Sequence, residues 1–201
     1  MASSLLLSRV PGMTQSIYLP LFYLRQRFAM TTNRYEVHAA NPDGSYAHLM
    51  AVAEQKRMAF KEHVTFYADD SKTRPVFAFK ARKSIDLGSG YDVTDEVGQQ
   101  IGFFRKDFAA SLLRSTFHVE GPGYQGAGQE RSQGVALVRR FMDIPFLPIH
   151  FDFLDTAGNP LLGVERQGSV RDVYTVHVPD QRVDFRVAAA IAVALDTLMQ
   201  R

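Results

Sequence analysis

The sequence predicts a mainly β protein, a closed antiparallel barrel built around a hydrophobic C-terminal helix. Two observations predict this fold. Segments in which apolar and polar residues alternate run from Ile17 to about Val119 and again from Phe146 to Val178, as in antiparallel strands with one buried face. The chain then closes with an apolar run at residues 187–195, and a helix that is apolar on every side has to be enclosed on every side.

Composition indicates one globular domain. The chain has 201 residues, of which 46% are hydrophobic and 22% charged, so we assign residues 17–201 to a single domain and residues 1–16 to a disordered N-terminal tail. Met1 and Met13 are alternative start sites. The closing apolar run is far shorter than the roughly 20 residues that cross a bilayer, so no transmembrane segment is expected. The absence of cysteine excludes disulfides and fits a cytoplasmic location.

Turn residues mark the hairpin tips of the predicted barrel. Glycine, asparagine and aspartate supply the left-handed backbone and the local side-chain acceptors that tight turns need. Four such clusters interrupt the alternating segments, at residues 41–44, 69–72, 95–98 and 155–158.

Two of these hairpins resemble each other. Residues 91–98 and 151–158 share an aromatic residue, two aspartates and a glycine at an offset of 60. After one deletion, residues 116–119 fall on residues 175–178, which would make His118 and His177 equivalent. A duplicated four-strand unit explains this pattern, and so do the shared constraints of hairpins; both explanations stay open.

Two helices are predicted. Residues 130–142 place Val135, Val138 and Phe141 at helical spacing, which predicts a short amphipathic helix in mid-chain. The C-terminal helix is expected to begin after Asp184 as its N-cap. From residue 185 to 199 it would extend about 22 Å, close to the 17–20 Å of an ordinary strand, so a sheet can surround it.

Three segments are similar to those of the LURP-one-related proteins: LRQRF at residues 24–28, EQKRMAFK at residues 54–61, and the hairpin at residues 91–98. That family is grouped with the Tubby C-terminal domain and the phospholipid scramblases. The resemblance implies about twelve strands around the central helix, over residues 18–198. It transfers no activity to named residues, because no segment matches the Tubby lipid-binding site or the acidic calcium segment of scramblases.

Basic side chains are the candidate binding residues. Alternation in residues 77–82 predicts that Lys80 and Arg82 project outward together,. Our first hypothesis is a non-enzymatic barrel, peripheral at the membrane, whose basic outer surface binds anionic phospholipid head groups or another phosphorylated ligand. The simpler interpretation is that these residues form a solvent-exposed strand face, whose charges prevent edge-to-edge pairing with other strands. The candidates are Lys56, Arg57, Lys80, Arg82, Lys83, Arg105 and Lys106.

Two other classes of function remain as hypotheses. A protein-interaction scaffold without a small ligand predicts basic residues dispersed among acidic ones. An enzyme with a pocket at the barrel mouth predicts a concave site with perturbed titratable groups. No catalytic residue is assigned, because Gly88-Ser89-Gly90 lacks a full nucleophile elbow,.

Cofactors, metals and nucleic acid are not expected. Residues 121–126 spell G-x-G-x-x-G, but they lie among alternating strands, unlike the apolar strands of a Rossmann sheet,. The histidines lack the spacing of metal ligands. A metal site at the barrel rim, with His150 and Asp152 on one strand face, is the alternative. A net charge of +2 gives little attraction to nucleic acid,. The aspartate pairs at 92/95 and 152/155 are expected to cap turns.

Overall fold

The computed structural model describes residues 16–28, 32–56, 63–82, 90–107, 115–131, 149–166 and 173–199. Twelve antiparallel strands close into one barrel, in which each strand pairs with the next and β12 pairs with β1. This confirms the predicted closed barrel. The strands are β1 (Leu21–Phe28), β2 (Thr32–Ala40), β3 (Tyr46–Lys56), β4 (His63–Tyr67), β5 (Pro75–Ala81), β6 (Tyr91–Asp95), β7 (Gln100–Asp107), β8 (Thr116–Gly121), β9 (Tyr124–Glu130), β10 (Ile149–Asp155), β11 (Pro160–Arg166) and β12 (Val173–His177).

The barrel is filled by the helix α1 (Phe185–Met199). Residues 187–195 are all 0% exposed, so the predicted enclosure of the apolar run is confirmed. A Cβ at Gly102 on β7 would lie 2.6 Å from a methyl carbon of Val187. Glycine there lets the strand approach the helix, and the alanines of α1 allow the same closeness elsewhere.

Asp184 caps the helix as predicted. Its Oδ1 accepts a hydrogen bond from the backbone N–H of Arg186 at 2.9 Å, and its Oδ2 accepts one from the N–H of Ile17 at 2.9 Å. The first bond satisfies a free donor of the first helical turn. The second ties the segment before β1 to the start of α1.

Two predictions lie largely outside the described residues. Glu130 is the last residue of β9, and the rest of the predicted mid-chain helix, apart from Arg131, falls in residues 132–148, which are not among those described. The predicted tail falls almost entirely in residues 1–15, also outside them. Within the described ranges, no helix combines the length and apolar character needed to cross a bilayer.

The two similar hairpins have the same geometry. Asp95 Oδ1 accepts from the N–H groups of Val97 and Gln99 at 3.0 and 2.8 Å. Asp155 Oδ1 accepts from Ala157 and Asn159 at 2.9 and 2.8 Å. Glycine follows each aspartate by three residues, with φ of 85° and 86°. We therefore call β5–β8 the first unit and β9–β12 the second unit.

The predicted equivalence of His118 and His177 is wrong by two residues. Arg105 on β7 lies opposite His118, whereas Glu165, which stands 60 residues later on β11, lies opposite Thr175. The register of the sheet therefore makes Thr175 the counterpart of His118. The sequence alignment, which pairs His118 with His177, is thus shifted by two residues from the alignment that the strand pairing gives.

Candidate anion-binding site

The outer side of the first unit carries an arginine–aspartate pair. Arg82 follows the end of β5, and its Nε and Nη2 lie 2.9 and 2.8 Å from Oδ1 of Asp92 on β6. The side chains are 45% and 31% exposed. Lys80 is exposed and lies directly opposite Asp92 in the strand register. The pairing with Asp92 raises the pKa of Arg82, so this group stays charged.

An aromatic ring supports the Arg82 guanidinium. Phe103 lies opposite Asp92 across β6 and β7, on the outward register of the strand. Its ring is nevertheless only 6% exposed, and the guanidinium carbon of Arg82 is 3.9 Å from the ring centroid. This cation–π contact holds the guanidinium over the ring.

Glycine at position 90 makes room for the ring and for a second arginine. Gly90 has φ of 80°, and its carbonyl accepts a hydrogen bond from the N–H of Arg82 at 3.0 Å. A Cβ at Gly90 would lie 2.4 Å from Cζ of Phe103 and 2.8 Å from Cβ of Arg105. Arg82 and Arg105 therefore both adjoin the space beside Gly90. We call Lys80, Arg82 and Arg105 the basic face.

The structure does not bring Lys106 to the basic face. Successive strand residues point to opposite sides of a sheet, and Lys106 shares the inward register of Phe104. Its Nζ lies 5.9 Å from the ring centroid of the buried Phe117 on β8. Burial lowers the pKa of Lys106. Arg105 and Lys106, adjacent in the sequence, thus lie on opposite faces of the sheet.

The remaining candidates add no described side chain to the basic face. Lys56 is the last residue of β3. Arg57 and Lys83 lie outside the described residues. Gly90 and Phe103 were not among the predicted site residues. Asp92, predicted to cap a turn, instead pairs with Arg82. The sequence contains a signal for this difference: Asp92 precedes the capping Asp95 by three residues, so the two carboxylates lie on opposite faces of the strand.

The second unit repeats the arginine–aspartate pair. Arg131 follows β9, its N–H donates to the carbonyl of His150 at 2.8 Å, and its Nε and Nη2 each lie 2.7 Å from an oxygen of Asp152. Its Nη2 is also 3.2 Å from Oε1 of Glu165. The hydrogen bond from Arg131 holds the pKa of Asp152 below its ordinary value.

The surroundings of the two pairs differ at each neighbouring position. By register, Gln129 replaces Lys80, Gly163 replaces Phe103 and Glu165 replaces Arg105. Arg82 has the cationic neighbours Lys80 and Arg105, with Glu120 on β8 as a further electrostatic partner, whereas Arg131 has a second carboxylate in direct contact. Only the first arrangement favours an external anion.

A pocket of about 320 Å³ lies at the other end of the barrel, near the start of α1. Its one cationic side chain, Arg182, already contacts Asp180 at 2.6 Å and the carbonyl of Gly123 at 2.7 Å. The pocket is lined by Gly123, Tyr124, Gln125, Asp155, Thr156 and Arg182. Among the described residues, no group of three or more potential ligands is placed to hold a metal ion.

A buried polar network surrounds the C-terminal part of α1. Asp196, 1% exposed, accepts hydrogen bonds from the hydroxyls of Tyr35, at 2.9 Å, and Tyr174. Arg166 donates to the Tyr174 hydroxyl at 3.3 Å. Burial raises the pKa of Tyr35, so this hydroxyl remains a donor. A carboxylate near a helix C-terminus is electrostatically unfavourable, and these donors offset that cost.

Comparison with known families matches this architecture. The profile of the LURP-one-related family matches residues 49–196. The chain belongs to the LURP-one-related family. The LURP-one-related match begins in β3 and continues into α1, so both units lie within it, and the helix-filled barrel is consistent with the Tubby-like superfamily. A search of curated protein sequences found no match.

Proposed function

We propose that this LURP-one-related barrel binds a phosphorylated anionic ligand, the head group of an anionic phospholipid, on its basic face, without catalysis. One observation supports the proposal above the others. The register brings Lys80, Arg82 and Arg105 to the outer side of β5–β7 around Asp92. The positions equivalent to Lys80 and Arg105 in the second unit carry glutamine and glutamate.

The chemistry of the basic face suits phosphate. A guanidinium presents parallel N–H donors that match two phosphate oxygens, and an ammonium contributes a point charge. The ring of Phe103 already orients Arg82, so less conformational freedom is lost on binding. Each basic residue near an anionic membrane contributes about 1 kcal/mol, so three give a weak, reversible association. This corresponds to a peripheral protein at the cytoplasmic surface of a membrane.

Flotation with liposomes tests the proposal. The chain should float with vesicles that contain a phosphoinositide bearing phosphomonoester groups and remain at the bottom with phosphatidylcholine alone. Association should weaken as salt rises from 0.1 to 1 M, because the screening length falls from about 10 to 3 Å. Competition by a soluble inositol phosphate separates head-group recognition from attraction to the membrane surface.

A matched pair of variants locates the site. Arg82→Glu should lower vesicle association by roughly tenfold or more, since it reverses a charge at the basic face. Arg131→Glu changes the net charge equally and breaks the equivalent ion pair of the second unit, and it should retain binding within about threefold. Equal losses in both variants, or no flotation on any vesicle, would contradict lipid binding at the basic face and leave the protein-interaction scaffold as the better hypothesis.

A further inference from the structure

We infer that Asp92 occupies the anion site of the basic face when no ligand is bound, and that a phosphorylated ligand must displace it from Arg82. This inference rests on the proposed function and concerns the regulation of the same site. One carboxylate oxygen of Asp92 accepts a hydrogen bond from Nε of Arg82 at 2.9 Å and lies 2.8 Å from its Nη2. These are donors on the same edge of the guanidinium that an incoming phosphate would use.

The geometry allows the carboxylate to leave without loss of the site. Both side chains are substantially exposed, at 45% and 31%, and ion pairs of this kind are held weakly in water. Arg82 also rests on the ring of Phe103, a contact that does not involve Asp92. The guanidinium therefore keeps its support when the carboxylate is displaced.

Competition with a resident carboxylate favours one class of ligand. A phosphomonoester carries a charge of about −1.5 to −2 and three acceptor oxygens. It therefore competes with the singly charged Asp92 better than a phosphodiester or another carboxylate does. We accordingly expect the basic face to prefer vesicles that display phosphomonoester head groups over vesicles of phosphatidylserine at equal total charge.

In the second unit, two carboxylates would compete with an external ligand for the arginine. Arg131 engages both oxygens of Asp152 at 2.7 Å and also contacts Glu165 at 3.2 Å. A ligand there would have to displace two carboxylates and would gain no cationic neighbour at the positions of Lys80 and Arg105. In the first unit one carboxylate, that of Asp92, hydrogen-bonds to the arginine, and Glu120 on β8 adds an electrostatic attraction. A ligand there has one hydrogen-bonded carboxylate to displace.

Vesicle titrations of charge-neutralised variants test the inference. Asp92→Asn should bind phosphoinositide vesicles roughly threefold to tenfold more tightly than the natural chain, because the competitor is removed. Two controls remove one negative charge each without releasing Arg82. Asp152→Asn alters the second unit, and Asp43→Asn alters an exposed residue at the tip of the β2–β3 hairpin. Both should change the affinity less than about twofold.

The outcomes separate the inference from the function on which it rests. Unchanged or weaker binding by Asp92→Asn, beside clear binding by the natural chain, overturns the competition and leaves lipid binding intact. No binding by the natural chain to any vesicle overturns lipid binding itself. A direct readout in the natural chain is the Arg82 Nε–H resonance, identified by its loss in Arg82→Lys. It should shift on addition of a soluble inositol phosphate, and a resonance that stays fixed at saturation contradicts displacement of Asp92.

Discussion

The first and second units build the same hairpin and the same arginine–aspartate pair, and they differ in what surrounds that pair. The capping bonds of Asp95 and Asp155 agree within 0.1 Å. Beside the pairs, one unit places Arg105 where the other places Glu165. Turn chemistry and register fix the geometry that the two units share, whereas the outward neighbours set the local charge around each pair.

The most destabilising substitution tests whether the two units share one core. Ile191 lies on α1 and is 0% exposed. Ile191→Asp should cost several kcal/mol, a large part of the 5–15 kcal/mol that stabilises an ordinary domain, because it buries an unpaired carboxylate. Urea unfolding followed by circular dichroism measures it. Val97→Asp, at a residue that is 79% exposed, is the control and should unfold as the natural chain does. A cooperative native-like transition for Ile191→Asp would contradict the enclosure of α1.

A smaller effect tests the glycine that distinguishes the first unit. Gly90→Ala forces a non-glycine residue to φ of 80° and places its Cβ against Phe103 and Arg105. We expect a loss of about 2–4 kcal/mol in the free energy of unfolding. Gly158→Ala has a similar φ with nothing within 4 Å, so it should lose only about 1–2 kcal/mol. Equal losses in the two variants would contradict the close packing beside Gly90.

The smallest effect tests the equivalence of the two caps. Asp95→Asn and Asp155→Asn should each lower Tm at pH 7, because each carboxylate accepts two backbone bonds within its turn. Either variant melting at the Tm of the natural chain would contradict the shared cap.

The Asp155 cap also predicts a pH dependence. Hydrogen bonds from Asn159, with a smaller contribution from Ala157, hold the pKa of Asp155 below its ordinary value of 3.8. Because the folded pKa is lower than the unfolded one, the carboxylate stabilises the fold above about pH 4, and this contribution is lost as pH falls through the folded pKa. The Tm difference between the natural chain and Asp155→Asn should therefore be largest near neutral pH and shrink below pH 4. A difference that grows on acidification would contradict this sign.

Much of the fold could be predicted because periodicity reports it directly. Alternation predicted the strands, and the apolar run with Asp184 before it predicted α1 and its first residue. Turn residues located hairpin tips because left-handed backbone and local acceptors need particular side chains. These signals are local, so no knowledge of which strands pair was required.

The candidate site was less predictable because it depends on strand phase and register. Residues 101–104 read Ile-Gly-Phe-Phe, a run with no clear alternation, so the sequence did not show that Arg105 faces out and Lys106 faces in. An apolar residue such as Phe103 is tolerated on the outer side of the sheet because the Arg82 guanidinium covers its ring. The pairing of Arg82 with Asp92 follows from the β5–β6 register, which sequence spacing alone does not give.

We propose that anion binding depends on the local arrangement of the first unit and not on the net charge of the molecule. An exchange of charges, Arg105→Glu together with Glu165→Arg, tests it because the net charge does not change. Titration with phosphoinositide vesicles should show the exchanged variant binding at least about tenfold more weakly than the natural chain, as Arg105→Glu alone does. The second unit has His150 in place of Gly90 and no ring in place of Phe103, so a new arginine there should not restore the site. An exchanged variant that binds as tightly as the natural chain would contradict binding at the basic face.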